Sequence, residues 1–299
     1  MHPILKSLRL RQWTKNVVLF AGLAFSGGAT ETSPILDATA AFFAFCLGSS
    51  AVYLLNDILD RERDRAHPVK RLRPIASGAL GVSQALILAA ILAVAAVILV
   101  YPHGNALWAL LAYWALQAFY TPLLKNIVLL DVFCIATGFS LRVLAGVWAI
   151  EAPLSPWLVA CTVQLALFMA LCKRRAEAAT LDLSAGDDTS QRPILAEYAG
   201  QATDMMIAVM AASTLVTYTL YSLLPAKVVA AGVAGLESRA GAPGMVFTLP
   251  FVYYGVLRYL YLVYGQGRGE RPERIATMDL PTILAGLGFA AVAGSVIYL

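Results

Sequence analysis

Charge is what this sequence has least of. Asp, Glu, Lys and Arg make up only 13% of its 299 residues, against about a quarter in soluble globular domains. Histidine is almost missing, with His2, His67 and His103 alone, so chemistry built on several imidazoles is excluded. Cysteine is sparse, and Cys46, Cys134, Cys161 and Cys172 all fall inside apolar runs. No pair has metal-knuckle spacing and no disulfide framework is legible, so these thiols read as small packing residues. There is no basic, aromatic-rich stretch of the kind that binds nucleic acid, and no soluble domain or low-complexity segment. A basic amino terminus is present, but no small-residue cleavage site follows its apolar run, so no cleaved leader is expected. What the sequence has in excess is apolar residues, at 60%, with a mean hydropathy of +0.72. That balance belongs to membrane proteins.

A hydrocarbon core about 30 Å thick needs roughly 20 apolar residues per helix. On that template nine spans are expected, over residues 16–30, 36–57, 83–101, 105–122, 127–149, 156–173, 203–224, 243–264 and 279–299. Their lengths suit helices, which satisfy their own backbone in lipid, rather than barrel strands. The expectation is an all-α, polytopic membrane bundle forming a single domain over 1–299. Nine crossings put the amino terminus and every second loop on one side, and that side holds 18 of the 22 Lys and Arg residues. Such asymmetry marks the cytoplasmic face of a cell membrane. The Gly- and Ala-rich spans permit close packing within one protomer or between protomers, so a homo-oligomer is compatible with the sequence.

The second span ends in Asn56-Asp57-Ile58-Leu59-Asp60-Arg61-Glu62-Arg63-Asp64. If the helix continues, Asp57, Asp60 and Asp64 share one face within about 60° of arc. Bare carboxylates so placed repel one another. Mg²⁺, which takes a few carboxylates together with substrate phosphate oxygens, removes that penalty. A solvated, salt-bridged helix end is the bland alternative, since arginines interleave, but acids at a membrane boundary more often serve function. His67-Pro68-Val69-Lys70-Arg71-Leu72-Arg73-Pro74-Ile75-Ala76-Ser77-Gly78 follows, a turned loop whose Lys70 and Arg73 suit a bound diphosphate.

The run Asn-Asp-x-x-Asp-x-x-x-Asp followed by Arg-Pro-Ile-Ala-Ser-Gly resembles the UbiA superfamily of intramembrane prenyltransferases, and the resemblance extends along the chain. It implies a helical bundle that binds a diphosphate through Mg²⁺ and aspartates at its cytoplasmic mouth. Arg11-Gln12-Trp13-Thr14-Lys15-Asn16, His67-Pro68-Val69-Lys70-Arg71 and Lys173-Arg174-Arg175-Ala176-Glu177 look like the decaprenyl-phosphate phosphoribosyltransferase branch. That branch moves 5-phosphoribose from phosphoribosyl diphosphate (PRPP) to a polyprenyl phosphate and releases pyrophosphate. Where the superfamily usually carries a second Asp-x-x-x-Asp motif, this sequence departs. Asp182 and Asp187 are five positions apart and the Lys-Arg-Arg cluster intrudes.

The other candidates fit that frame. Trp13 is a natural interfacial anchor, and Lys15 and Asn16 are positioned for a lipid phosphate. Asn56, Tyr120, Lys125, Lys173, Arg174, Glu177 and Tyr198 are expected at the substrate, with Asp131 as a further catalytic group. Arg192 and Tyr198 are placed to close over the ribose. Arg142 lies 11 residues after Asp131, on the same helix face and about 16 Å deeper; a buried arginine in lipid needs a partner or a polar cavity. The expected partners are thus PRPP, a polyprenyl phosphate and membrane lipid, with Mg²⁺ as cofactor and no nucleic acid. Two rivals stand beside this reading. One is a prenyltransferase acting on an aromatic acceptor. The other is a lipid transporter, although no repeat of broken helices about a midplane ion site is visible.

Overall fold

The computed structural model describes residues 3–183, 193–224, 243–266, 275 and 278–299. Asp187, Asp188 and Arg192 lie outside the described residues, as does the side chain of Asp182. Among the described residues all regular structure is helical. The elements are α1 (Pro3–Ser7), a 3₁₀ stretch (Leu10–Leu19), α2 (Phe20–Ser26), α3 (Thr32–Leu59), α4 (Arg61–Ala66), α5 (Val82–Val100), α6 (Ala106–Tyr120), α7 (Leu130–Ala149), α8 (Pro156–Leu183), α9 (Gln201–Leu223), α10 (Leu249–Gln266) and α11 (Leu280–Tyr298). Seven of these, α3, α5, α7, α8, α9, α10 and α11, are long and apolar enough to cross a membrane. Helix α6 is apolar but has 15 residues. The first expected span does not form a continuous helix. Its residues divide among the 3₁₀ stretch, the seven residues of α2, which Gly27 ends in a left-handed turn at φ 76°, and a short 3₁₀ turn, Gly28–Thr30.

The chain divides into two compact units. The first comprises Met1–Pro122 and Leu141–Ala152, the second Leu123–Ser140 and Pro153–Leu299, so α7 gives its first half to one and its second half to the other. In the first unit small side chains let helices approach closely. Ala51 and Leu54 of α3 pack with Ala85, Ala89 and Leu92 of α5. A second cluster joins Leu19, Ala41, Ala44, Phe45, Ala106, Leu110 and Tyr113 to Ala145 and Ala149 of α7. Van der Waals contact of this kind is what holds helices together in lipid. On α5, Ile87, Ile91, Val94 and Ile98 recur at helical spacing and stay exposed, which is the composition of a lipid-facing stripe.

The tightest approach is between α7 and the 3₁₀ stretch. A Cβ added at Gly146 would lie 1.9 Å from the carbonyl oxygen of Leu19, and backbone cannot yield as a flexible side chain does. Gly146→Ala is therefore expected to lower stability by about 1–3 kcal/mol or more, the range for overpacked cores. Thermal melting of the detergent-purified protein measures it, with Gly286→Ala, where an added Cβ meets nothing within 4 Å, as the neutral control.

The second unit is built on α8, α9 and α10, through Phe168, Leu171, Ile207, Ala211, Val256 and Leu262. Helix α11 opens with Asp279 as its cap, accepting from the Thr282 amide at 3.1 Å, and Arg258 of α10 grips the same carboxylate at 3.1 and 2.9 Å. Those hydrogen bonds hold the Asp279 carboxyl well below the usual carboxylate range.

Candidate active site

Polar clusters interrupt the apolar interior of each unit. The first lies at the end of α3. Helix α3 bends where it meets α4, at Asp60 (φ −87°, ψ 4°), and α4 stops at His67, which is extended because a residue before proline avoids the helical region. The loop beyond is fixed by its own hydrogen bonds. His67 Nδ1 accepts from the amides of Val69 and Lys70 at 3.1 and 3.3 Å, and Arg65 Nε donates to the Ala76 carbonyl at 3.1 Å. Arg73 is thereby carried back over α3. Its Nη1 donates to Asp57 Oδ1 at 3.1 Å and to Asp64 Oδ2 at 2.6 Å. Both acid side chains are 4% exposed, so this is a buried acid pair closed on one cationic nitrogen.

The bend corrects the expected triad. Asp57 and Asp64 converge, but Asp60, at the bend, pairs with exposed Arg63 at 3.5 Å. Among the described residues no three His, Cys, Asp or Glu side chains gather around one point. A pair is nonetheless what Mg²⁺ asks of a protein when phosphate oxygens complete its octahedron. The position of Arg73 Nη1, within hydrogen-bond reach of both acids, already marks a seat for positive charge. The donor set fits the ion. Asn56 adjoins this pair, its Oδ1 accepting from Thr121 Oγ1 at 3.2 Å.

Sequence reasoning missed a second cation here. Arg9 donates to Asp57 Oδ1 through Nη2, and its guanidinium carbon sits 4.8 Å from the centroid of the Tyr53 ring. Nothing in the sequence distinguished Arg9 from the other amino-terminal basic residues. Its backbone is left-handed, at φ 51°.

Deeper in the first unit, Arg142 is 6% exposed. Its Nε donates to Asn16 Oδ1 at 2.7 Å, and Asn16 Nδ2 donates in turn to Cys46 Sγ at 3.2 Å. The Tyr113 ring lies under the guanidinium, 4.6 Å away. Asn16, expected at a lipid phosphate, is instead 1% exposed, and its amide braces Arg142. Trp13 is likewise tied down, donating to Ser50 Oγ at 3.1 Å. Arg142→Met strands the buried Asn16 oxygen and should cost about 1–3 kcal/mol, read as a lower melting temperature in detergent. Lys15, Lys70 and Tyr120 are half-buried in this unit.

The second cluster gathers five of the predicted residues. Arg174 Nε donates to Asp131 Oδ2 at 2.6 Å, and Arg174 Nη1 to Glu177 Oε2 at 2.6 Å. Lys173 approaches the other Glu177 oxygen at 3.7 Å. The Tyr198 hydroxyl donates to Asp131 Oδ1 and accepts from the Leu129 amide at 2.8 Å. Burial and the hydrogen bond to Asp131 push the Tyr198 phenol up, so it stays a donor. Asp131, expected as a catalytic group, is 0% exposed, with one oxygen engaged by Arg174 and the other by Tyr198. Lys125 also belongs to this unit, half-buried in a single 3₁₀ turn, Leu124–Asn126. A further knot that the sequence did not announce joins Arg175 and Tyr264 to Asp204 Oδ1, each at 2.8 Å.

Comparison with known proteins bears on the same frame. The chain is 34% identical to the decaprenyl-phosphate phosphoribosyltransferase of Mycolicibacterium smegmatis, over 99% of its own length and 92% of that protein. It is 31% identical to the protein of that name from Mycobacterium tuberculosis, over 98% of this chain and 94% of the relative. Among solved structures, a UbiA homolog from Archaeoglobus fulgidus bound to GPP and Mg²⁺ superposes with a TM-score of 0.67 at 17% identity, covering 99% of this chain and 100% of that one. At that identity the likeness is one of fold. The model of the UbiA prenyltransferase family matches residues 17–278, a stretch that includes Asp57, Asp64, Arg73 and the whole second cluster, and the chain belongs to that family.

Proposed function

We propose that the protein transfers 5-phosphoribose from PRPP to a polyprenyl phosphate and releases pyrophosphate, at the cytoplasmic face of a cell membrane. The observation that carries this reading is the buried pair Asp57 and Asp64 converging on a single cationic nitrogen, in a chain whose relatives are named for that transfer. The side assignment rests on the 18 of 22 basic residues expected on one face.

Asp57 and Asp64 would hold Mg²⁺. When bound, the ion neutralises the diphosphate and makes it a better leaving group. Arg73, released from the acids, then has its donors available to phosphate oxygens in forked geometry. The anomeric C1–O bond to diphosphate breaks as a bond forms from C1 to an oxygen of the lipid phosphate. That oxygen is an anion at neutral pH, so no general base is called for, in keeping with three histidines in the whole chain. What the side chains contribute is orientation and charge compensation between two polyanions; in the first unit Lys15 and Lys70 are assigned to that binding, and in the second unit Lys125 and Lys173. Arg174 and Glu177, set in place by Asp131, are assigned to binding rather than bond-making.

The test pairs two incubations of purified protein with Mg²⁺. One has labelled PRPP and polyprenyl phosphate, the other labelled prenyl diphosphate and an aromatic acid. A labelled lipid in the first alone is the expected outcome. Product only in the second would replace this reading with prenyl transfer, which the fold shared with the GPP-bound archaeal protein keeps as the runner-up.

A further inference from the structure

Arg9 meets the acid pair with few of its donors used. A guanidinium offers five N–H donors. In Arg9 one is spent, on Asp57, and the Tyr53 ring engages the flat face without taking any in-plane N–H. The side chain is 28% exposed, whereas Asp57 beneath it is 4% exposed. Arg9 therefore reaches from solvent into the acid seat with most of its donors unspent. By contrast, Arg65 is occupied by Glu62 and the Ala76 carbonyl.

The amino-terminal segment that carries Arg9 is anchored from both sides. Lys6 Nζ donates to the Leu72 carbonyl at 2.8 Å, Ser50 Oγ donates to the Leu8 carbonyl at 2.8 Å, and Trp13 donates to Ser50. Between these anchors Arg9 holds a left-handed backbone, φ 51° and ψ 49°, a conformation that costs a non-glycine residue energy and collects at functional positions. The side chain meets Asp57, so that two guanidinium groups, Arg9 and Arg73, balance the two buried carboxylates. A divalent ion carries the same two positive charges as this pair of arginines. The ion can take the carboxylates and an anion the arginines.

We infer that Arg9 is a pyrophosphoryl-binding residue. When a divalent ion occupies Asp57 and Asp64, the Arg9 guanidinium turns from Asp57 to the diphosphate oxygens while the Tyr53 ring keeps it within reach. This rests on the reading of Asp57 and Asp64 as the metal–diphosphate seat. It adds a ligand from the amino-terminal segment, outside the aspartate motif and the loop after it. Arg9 competes with bare metal and cooperates with metal–pyrophosphate, so the two affinities move in opposite directions when it is removed.

The experiment uses the full chain in detergent, with inorganic pyrophosphate as probe. Mn²⁺ binding is followed by the free-ion electron paramagnetic resonance signal, and Mg²⁺–pyrophosphate binding by calorimetry. Arg9→Met is expected to bind Mn²⁺ alone several-fold more tightly. It should bind Mg²⁺–pyrophosphate at least about ten-fold more weakly, the scale of losing a charge-assisted hydrogen bond. Arg9→Lys, which keeps the charge but not the fork, should fall between the two and decides the matter if the methionine variant does not fold. Pyrophosphate affinity within two-fold of wild type in whichever variant folds would overturn the inference, as would a parallel loss of both affinities. The wild-type chain separates the two levels. If it binds no Mg²⁺–pyrophosphate, the proposed function fails with the inference; if it binds and the Arg9 variants bind equally well, the inference fails alone.

Discussion

Asp57→Asn and Asp64→Asn proteins are expected to remain folded in detergent and to release pyrophosphate at least about a hundred-fold more slowly than wild type, the loss seen when a preorganised charge-stabilising group is removed from a reacting centre. Asparagine keeps the shape and one acceptor oxygen, so Arg73 retains a partner and packing is undisturbed. What disappears is the negative charge that would seat a divalent ion. Asp60→Asn is the informative companion. Asp60 sits at the bend, 30% exposed in its side chain and paired with exposed Arg63, so its loss should slow turnover by less than about ten-fold. Pyrophosphate release, measured at saturating and at limiting Mg²⁺, checks all three. Equal loss from all three variants would restore the three-carboxylate seat that simple helix periodicity predicts. Near-normal turnover in Asp57→Asn would remove the metal role altogether.

That contrast shows how far the sequence could be read. Hydropathy alone located the long helices, because about 20 apolar residues in a row have few other uses. It overreached at residues 16–30, where the run is apolar but punctuated by Gly22, Gly27 and Gly28. There the chain turns at Gly27 rather than continuing. The aspartate motif was legible as a motif, yet its geometry was not, since a wheel assumes the helix continues and the bend at Asp60 ends that assumption. Arg142 was recognised as a buried cation in need of a partner. That the partner is Asn16, 126 residues away, is tertiary information with no local trace. Arg9 was invisible for the same reason, its contact with Asp57 spanning 48 positions. Lys173, Arg174 and Glu177 were seen together because helical spacing links them, while their attachment to Asp131 and Tyr198 needed the fold.

The second large effect is expected at Asp131. Replacing it with Asn takes from the buried Arg174 guanidinium the more deeply enclosed of the two carboxylates it holds, leaving Glu177. Breaking one member of a buried pair usually costs about 3–5 kcal/mol, well above what a single neutral hydrogen bond is worth. Arg174 is 5% exposed and Asp131 fully enclosed in their side chains, so water is poorly placed to compensate. The substituted asparagine can present an oxygen to Arg174 or to the Tyr198 hydroxyl, but its amide group then points a donor where an acceptor is required. Tyr198→Phe removes only the neutral arm. It leaves the Leu129 amide without the hydroxyl it donates to, at a residue held at φ 67°, and is expected to cost about 1–3 kcal/mol. Melting of the purified variants should therefore rank wild type above Tyr198→Phe, and Tyr198→Phe above Asp131→Asn. The double variant should lose less than the sum, because both single changes act on the same carboxylate. Additive losses would mean that Tyr198 and Asp131 stabilise the unit independently, and that the hydroxyl does not work through the aspartate.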